Sequence, residues 1–248
     1  MALAAQVAHV RVVLVTGSTS GIGKATALRF AQAGDAVVFN SVRSVEQGEA
    51  LAAQVPGSLY VQADISVDDD CQRLVSQVLD HYGALDVLVN NAGTTRLIPH
   101  HDLAAASVDV WREIFEVNVF GTWNLSVTAM VALRASKGSI VNVSSVAGMR
   151  PSGSSIPYAA SKAAVNHMTA LLAKVVGPDV RVNAVAPGLV DTPWTAEWGT
   201  IRARVSEAAP LKRSGTPDDI ADVIVLLAST PYMTGQVVIV DGGLSLST

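Results

Sequence analysis

Seven short runs of Val, Ile and Leu recur along the chain, separated by amphipathic segments, and this alternation limits the fold more than any other feature. The runs lie at 10–15, 36–40, 59–62, 86–90, 139–143, 180–185 and 237–240. Most are continuously apolar rather than alternating with polar residues, the pattern of strands covered on both faces in a parallel sheet. The intervening segments 23–33, 46–54, 69–81, 110–133, 158–176 and 217–228 place apolar residues at helical spacing. Strands and helices in strict alternation predict one doubly wound α/β domain over 1–248, with about seven parallel strands. The chain is half apolar and 15% charged, so it can cover both faces of such a sheet. The segment 188–215 has no strand-like run and holds Pro193, Trp194, Trp198 and Pro210, so it is expected to be a lid.

Charge and cysteine usage exclude several classes. Seventeen Lys and Arg against 21 Asp and Glu leave a formal charge of −4, and no basic stripe offers itself to nucleic acid. A single cysteine, Cys71, rules out an internal disulfide or a thiolate cluster and suits a reducing, cytoplasmic setting. The uncharged stretch 223–240 is broken by Ser229, Thr230, Pro231, Thr234, Gly235 and Gln236, and reads as helix, turn and strand rather than a membrane span. The N-terminal tract M-A-L-A-A-Q-V-A-H-V-R has no positive region ahead of its apolar residues, so no secretory leader is expected. His9, His81, His100, His101 and His167 show no metal-ligand spacing.

Two motifs carry chemistry. The first strand runs into Thr16-Gly17-Ser18-Thr19-Ser20-Gly21-Ile22-Gly23 and then a helix. Glycines there allow a sharp turn and close approach of a phosphate, and the free N–H groups of the helix start attract negative charge. An ordinary Gly/Ser turn is the plainer alternative. A nucleoside-triphosphate loop is excluded, because its first Gly would fall on Ser18 and Ala25 follows Lys24. The second motif is Tyr158-Ala-Ala-Ser-Lys162, whose four-residue spacing puts phenol and ammonium one turn apart on one helix face. Ser145 stands thirteen residues before Tyr158.

With these residues the chain resembles the short-chain dehydrogenase/reductase family over nearly its whole length, closest in look to bacterial β-ketoacyl-acyl-carrier-protein reductases and related carbonyl reductases. Asp64-Ile65, Asn90-Asn91-Ala92-Gly93, Asn118, Ser144-Ser145, Pro187-Gly188 and Asp241-Gly242-Gly243 add to the resemblance. It implies a Rossmann-type domain that transfers hydride between a nicotinamide cofactor and a secondary alcohol or ketone. Tyr158 is then the acid/base, Ser145 holds the substrate oxygen, Lys162 also binds the nicotinamide ribose, and Asn118 positions a water. The implied cofactor contacts are Gly17 to Gly23, Asp64, Ile65, Asn91, Ala92, Gly93, Pro187, Gly188, Val190 and Thr192, with Asn90 structural. A phenol near pKa 10 is a poor base, and the Lys162 ammonium with the positive nicotinamide is expected to depress it.

In NAD-preferring relatives an acid ends the second strand. Here Asn40, Ser41, Val42 and Arg43 stand there, and the Arg43 guanidinium suits a 2′-phosphate, which favours NADP(H). Ser20 replaces the basic residue of many NADP-binding relatives and keeps NAD(H) open. Selectivity is expected from 94–97, 146–156 and the lid, where a short helix carries Trp194 and Trp198 over the site and favours an apolar or bulky ketone. An acidic acyl carrier is a further partner, with Arg134, Lys137 and Arg150 as a loose basic patch. Family members commonly form homotetramers, or homodimers, through the helices here at 110–133 and 158–176. A non-catalytic cofactor sensor is the alternative from another class, and a nucleotide-sugar epimerase is disfavoured by chain length.

Overall fold

The computed structural model describes residues 10–246; the first nine residues, His9 and most of the N-terminal tract among them, lie outside these. The strands are β1 (Val12–Val15), β2 (Ala36–Ser41), β3 (Leu59–Gln62), β4 (Val87–Asn90), β5 (Ser139–Val143), β6 (Arg181–Pro187) and β7 (Val237–Val240). They form one sheet in the order β3-β2-β1-β4-β5-β6-β7, every pair parallel. This is the single doubly wound domain that the apolar runs predict. The helices are α1 (Gly21–Gln32), α2 (Val45–Gln54), α3 (Asp68–Tyr82), α4 (Val108–Phe115), α5 (Thr122–Thr128), α6 (Met130–Ser136), α7 (Ile156–Val176), α8 (Gly199–Ala208) and α9 (Pro217–Ser229).

Continuous V/I/L strands work here because successive side chains leave on opposite faces and both faces are covered. Leu14, Val38, Leu88 and Ile140 pack with Leu74, Leu125, Leu133 and Leu172, all buried, on one side. Val13, Val15, Phe39, Val89 and Val141 pack with Phe30, Ile220 and Ile224 on the other. The stretch 223–240 divides between α9 and β7, and among the described residues no helix is long and apolar enough to cross a membrane.

The predicted helix 110–133 is not one helix. It starts as α4, passes through a π-helical turn at Glu116–Gly121, and continues as α5 and α6 with a break at Ala129. Two features account for the departure. Asn118 turns inward within the π-turn to hydrogen-bond Thr94 and Ser161. In the next turns Ser126 and Thr128 donate their hydroxyls to the carbonyls of Thr122 and Asn124 (2.6 and 2.9 Å), a back-bonding that bends helices.

A buried polar chain ties this bent rod to α7 across the sheet. Asn90 donates to Ser126 Oγ (3.0 Å) and to Asn142 Oδ1 (2.9 Å), and Asn142 donates to Thr169 Oγ1 (2.9 Å). These four residues are between 0 and 3% exposed, so no solvent replaces a lost partner. Replacing Asn142 with Leu removes the acceptor of one Asn90 Nδ2 hydrogen, while Asn90 keeps Ser126 and the Thr169 hydroxyl keeps its donation to the Val165 carbonyl. The expected cost is about 1–3 kcal/mol of unfolding free energy, the penalty for one unsatisfied buried donor, measurable by urea titration.

Candidate active site

All seven strands end at one edge, and the order reverses between β1 and β4, where ligands of open parallel sheets settle. A cavity of about 800 Å³ opens along that edge. Its wall at one end comes from the loops after β1 and β2, and at the other from the loop after β5, the start of α7 and the segment after β6.

The glycine loop is fixed by neighbours rather than by its own side chains. Gly17 (φ +60°) and Gly21 (φ +52°) lie in the left-handed region, and a Cβ on Gly23 would meet the Gly17 carbonyl oxygen at 2.4 Å. Asn91 donates from Nδ2 to the Thr16 and Gly17 carbonyls (2.8 and 3.1 Å), and the Thr16 hydroxyl accepts from the N–H groups of Asn91 and Ala92 (3.0 and 2.9 Å). The loops after β1 and β4 are thereby clipped together at the switch point. A phosphate-bearing group fits this cradle: two positive-φ glycines bring the backbone close, and α1 begins at Gly21 with no acid in its first turn.

At the other end, β5 delivers Ser144 and Ser145 onto α7. A tight 3-10 turn, Val146–Gly148, presses against that helix, and a Cβ on Gly148 would meet the Lys162 carbonyl carbon at 2.6 Å. Ser155 caps α7 by accepting from Tyr158 N (3.3 Å). Tyr158 hydrogen-bonds Ser145, and Lys162 Nζ donates to the Val143 carbonyl (2.8 Å) while lying 5.8 Å from the Tyr158 ring centre. The sequence spacing therefore brings Ser145, Tyr158 and Lys162 to one end of one cavity.

Burial governs the charges there. It pushes the Tyr158 phenol up to about 12, against the Ser145 hydrogen bond that draws it down. It also pulls the Lys162 ammonium down to about 8. The expected depression of the phenol is thus not a property of the protein alone, in which desolvation outweighs the Ser145 hydrogen bond. Tyr158 stands as a neutral phenol, a proton donor.

Of the residues named from sequence, Gly17, Ser20, Gly21, Ile22, Asn40, Ser41, Arg43, Asp64, Ile65, Asn91, Ala92, Gly93, Ser145, Tyr158, Lys162, Pro187, Gly188, Val190 and Thr192 line the cavity. Ser18, Thr19, Gly23 and Asn118 do not. Ser18 is buried and its hydroxyl accepts from Asn40 N (2.9 Å). Asn118 lies behind the wall; Oδ1 accepts from Thr94 N (2.8 Å), and Nδ2 donates to Thr94 O and Ser161 Oγ (both 3.0 Å). Its amide positions Thr94, with both Nδ2 N–H groups engaged. Asn40 reaches the cavity with its carboxamide committed, accepting from Gly17 N (3.3 Å) and donating to the Val61 and Ala63 carbonyls (both 3.1 Å). Asp64 lines the wall while one carboxylate oxygen accepts from the Ser66 N–H and hydroxyl (3.0 and 2.6 Å).

The lid segment is more ordered than its composition predicts. Asp191, near its start, ties down its middle and its end, accepting from Arg202 Nε (2.5 Å) and Ser214 Oγ (2.8 Å). The two tryptophans both line the cavity but do not share a helix: Trp194 sits in a 3-10 turn begun by Pro193, and Trp198 caps α8. Trp194 meets the Tyr158 ring edge-on, centres 6.3 Å apart. Glu113 and Val117, also in the wall, were not legible as site residues, because nothing in an amphipathic helical stretch marks which of its residues will face a cavity built by loops distant in sequence.

Residues 17–245 match the family model described as enoyl-(acyl carrier protein) reductase. The chain belongs to the short-chain dehydrogenase/reductase family. It is 56% identical over 95% of its length, and 96% of the relative's, to a protein named as a ketoacyl reductase of the granaticin polyketide synthase of Streptomyces violaceoruber. It is 42% identical to the 3-oxoacyl-[acyl-carrier-protein] reductase FabG of Thermotoga maritima, over 94% of this chain and 97% of that one. A solved short-chain dehydrogenase/reductase structure from Burkholderia xenovorans superposes with a TM-score of 0.89 at 40% identity, covering 96% and 99% of the two chains. As a member of that family the protein is an oxidoreductase acting on CH–OH or ketone groups.

The direction of the Lys162 shift sets a pH signature. A lysine whose pKa falls from 10.5 to about 8 on folding binds fewer protons folded than unfolded between those values, so its contribution to stability grows as pH rises through that window. Urea titrations should show wild type gaining stability relative to Lys162→Met from pH 8 toward 10.5. A constant difference contradicts the buried ammonium.

Proposed function

We propose that the protein interconverts a secondary alcohol and a ketone with NADP(H), as a ketoacyl or carbonyl reductase. The observation that carries the reading is the convergence of Ser145, Tyr158 and Lys162 at the end of the cavity opposite Arg43. A non-catalytic sensor has no use for that triad. NADP(H), when bound, supplies or accepts the hydride. Tyr158 gives its hydroxyl proton to the ketone oxygen, which Ser145 holds by hydrogen bond. The Lys162 ammonium lowers the cost of the transient phenolate, which regains its proton from solvent water. Trp194 and Trp198 shield this end from water and offer an apolar face to the substrate.

Support for NADP(H) over NAD(H) comes from the second-strand loop. Arg43 lines the cavity beside Ser41 and Ser44, and among the described residues no acid pairs with it. An uncompensated guanidinium with adjacent hydroxyls suits a phosphate dianion better than a neutral ribose hydroxyl. The reading extends to a homotetramer or homodimer in the cytoplasm: Phe120, Trp123, Val127 and Val131 form an exposed apolar stripe along the bent helix, and Leu171 and Val175 lie exposed on α7. A carrier-linked acyl chain, approached over Arg134, Lys137 and Arg150, remains within the proposed substrates.

Tyr158→Phe should lower ketone turnover by about 10²- to 10⁴-fold while NADPH still quenches protein fluorescence. Arg43→Ala should raise KM for NADPH by about tenfold, the size of one lost charge-assisted hydrogen bond, and raise KM for NADH much less. A tenfold preference of the wild type for NADH overturns the cofactor assignment.

A further inference from the structure

Five charged side chains line the cavity: Arg43, Asp64, Arg96, Glu113 and Lys162. Arg96 and Glu113 differ from the rest. Arg96 Nε donates to Glu113 Oε2 (3.2 Å), and Nη2 to Oε1 and Oε2 (2.9 and 3.0 Å), a fork-on-fork pair. Among the described residues it is the one salt bridge with both partners in the cavity wall.

Its place is the substrate end. Arg96 lies two residues beyond Thr94, which Asn118 holds by both backbone groups, and beside Thr95, whose hydroxyl meets Ser154 Oγ at 2.6 Å. Ile98 N donates to the Ser154 carbonyl (2.8 Å) and pins the far side of the same loop. Glu113 stands on α4, just ahead of the π-turn that carries Asn118. The loop that carries Arg96 is thus pinned where it borders the catalytic triad, while the guanidinium itself, 58% exposed, is held by Glu113. Guanidinium has five N–H donors; Nη1 carries two of them, and nothing among the described residues accepts from it.

The two arginines of the cavity therefore present different chemistry. Arg43 has no acid partner and suits an anion. Arg96 is neutralised, so it offers directed donors with no net positive charge, and the Glu113 carboxylate repels an incoming anion. A neutral acceptor, a carbonyl or hydroxyl oxygen, gains the hydrogen bonds without that penalty. The facing lid wall is apolar, with Trp194, Trp198, Ile201 and Val205.

We infer that the Arg96–Glu113 pair is a specificity-determining site that selects ketones bearing a second, uncharged oxygen function, with an apolar body lying against the lid. The inference rests on reading the cavity as a ketone site. Three probes of similar length separate the terms: hexan-2-one, hexane-2,5-dione and 4-oxopentanoate, which carry no second acceptor, a neutral one and an anionic one.

In wild type the expected order of kcat/KM is dione, then hexanone, then oxopentanoate. Arg96→Leu should lower the dione-to-hexanone ratio by about tenfold, the worth of a hydrogen bond to a charged group. Glu113→Gln should raise the oxopentanoate-to-dione ratio by about tenfold, a gain that mere loosening of the loop does not produce. Tryptophan fluorescence quenching gives Kd for the same three ketones, so the ranking is read even if none turns over. Absent turnover with the ranking intact refutes the reductase reading and leaves the pair's selectivity standing. Ratios unchanged in both variants, or shifted equally for all three ketones, overturn the inference.

Discussion

Parallel strands covered on both faces leave every strand's C-terminal end at the same edge, and the site exists because of that constraint. β1 supplies the glycine loop, β2 Arg43, β4 the loop with Asn91 and Thr94, β5 Ser145, and β6 the lid. None of these loops has a core of its own. They hold their shape by bonding one another: Asn91 to the Thr16 and Gly17 carbonyls, Asn40 to the loops after β1 and β3, Asn118 to Thr94. Asparagine recurs because a carboxamide both donates and accepts, and so can satisfy two backbone groups that face each other without a ladder between them.

Desolvation sets the chemistry of the catalytic end. The same burial that drives the Tyr158 phenol upward drives the Lys162 ammonium downward, so the two pKa values move apart. A protein in this state is primed to give a proton to a substrate oxygen. Taking a proton from an alcohol asks for more positive charge than the Lys162 ammonium supplies against that burial. The cavity's other charges are arranged by the same logic of compensation, with one arginine left without an acid and the other bound to Glu113.

Much of this was legible in the sequence, for identifiable reasons. The strands announce themselves because both-face burial demands unbroken V/I/L runs, and Tyr158 and Lys162 because one helical turn separates them. The break in the long helix was not, since π-turns carry no residue signature and this one is held by contacts to Thr94 and Ser161, distant in sequence. Asn40 could not be sorted from a ligand-binding residue by its identity, because its amide is consumed by Val61 and Ala63, on and just after the next strand and more than twenty residues away. The direction of the Tyr158 shift depends on how much water the folded chain excludes, a tertiary quantity. Glu113 becomes a site residue through a pair seventeen positions distant in the chain.

The proposed chemistry is hydride transfer to a ketone carbon in this cavity. Incubating the protein with a ketone and NADPH deuterated at C4 of the nicotinamide, followed by mass spectrometry of the product, tests it. One deuterium is expected, carried on the carbinol carbon of a single alcohol product. An alcohol without label, or label at any other carbon, contradicts it.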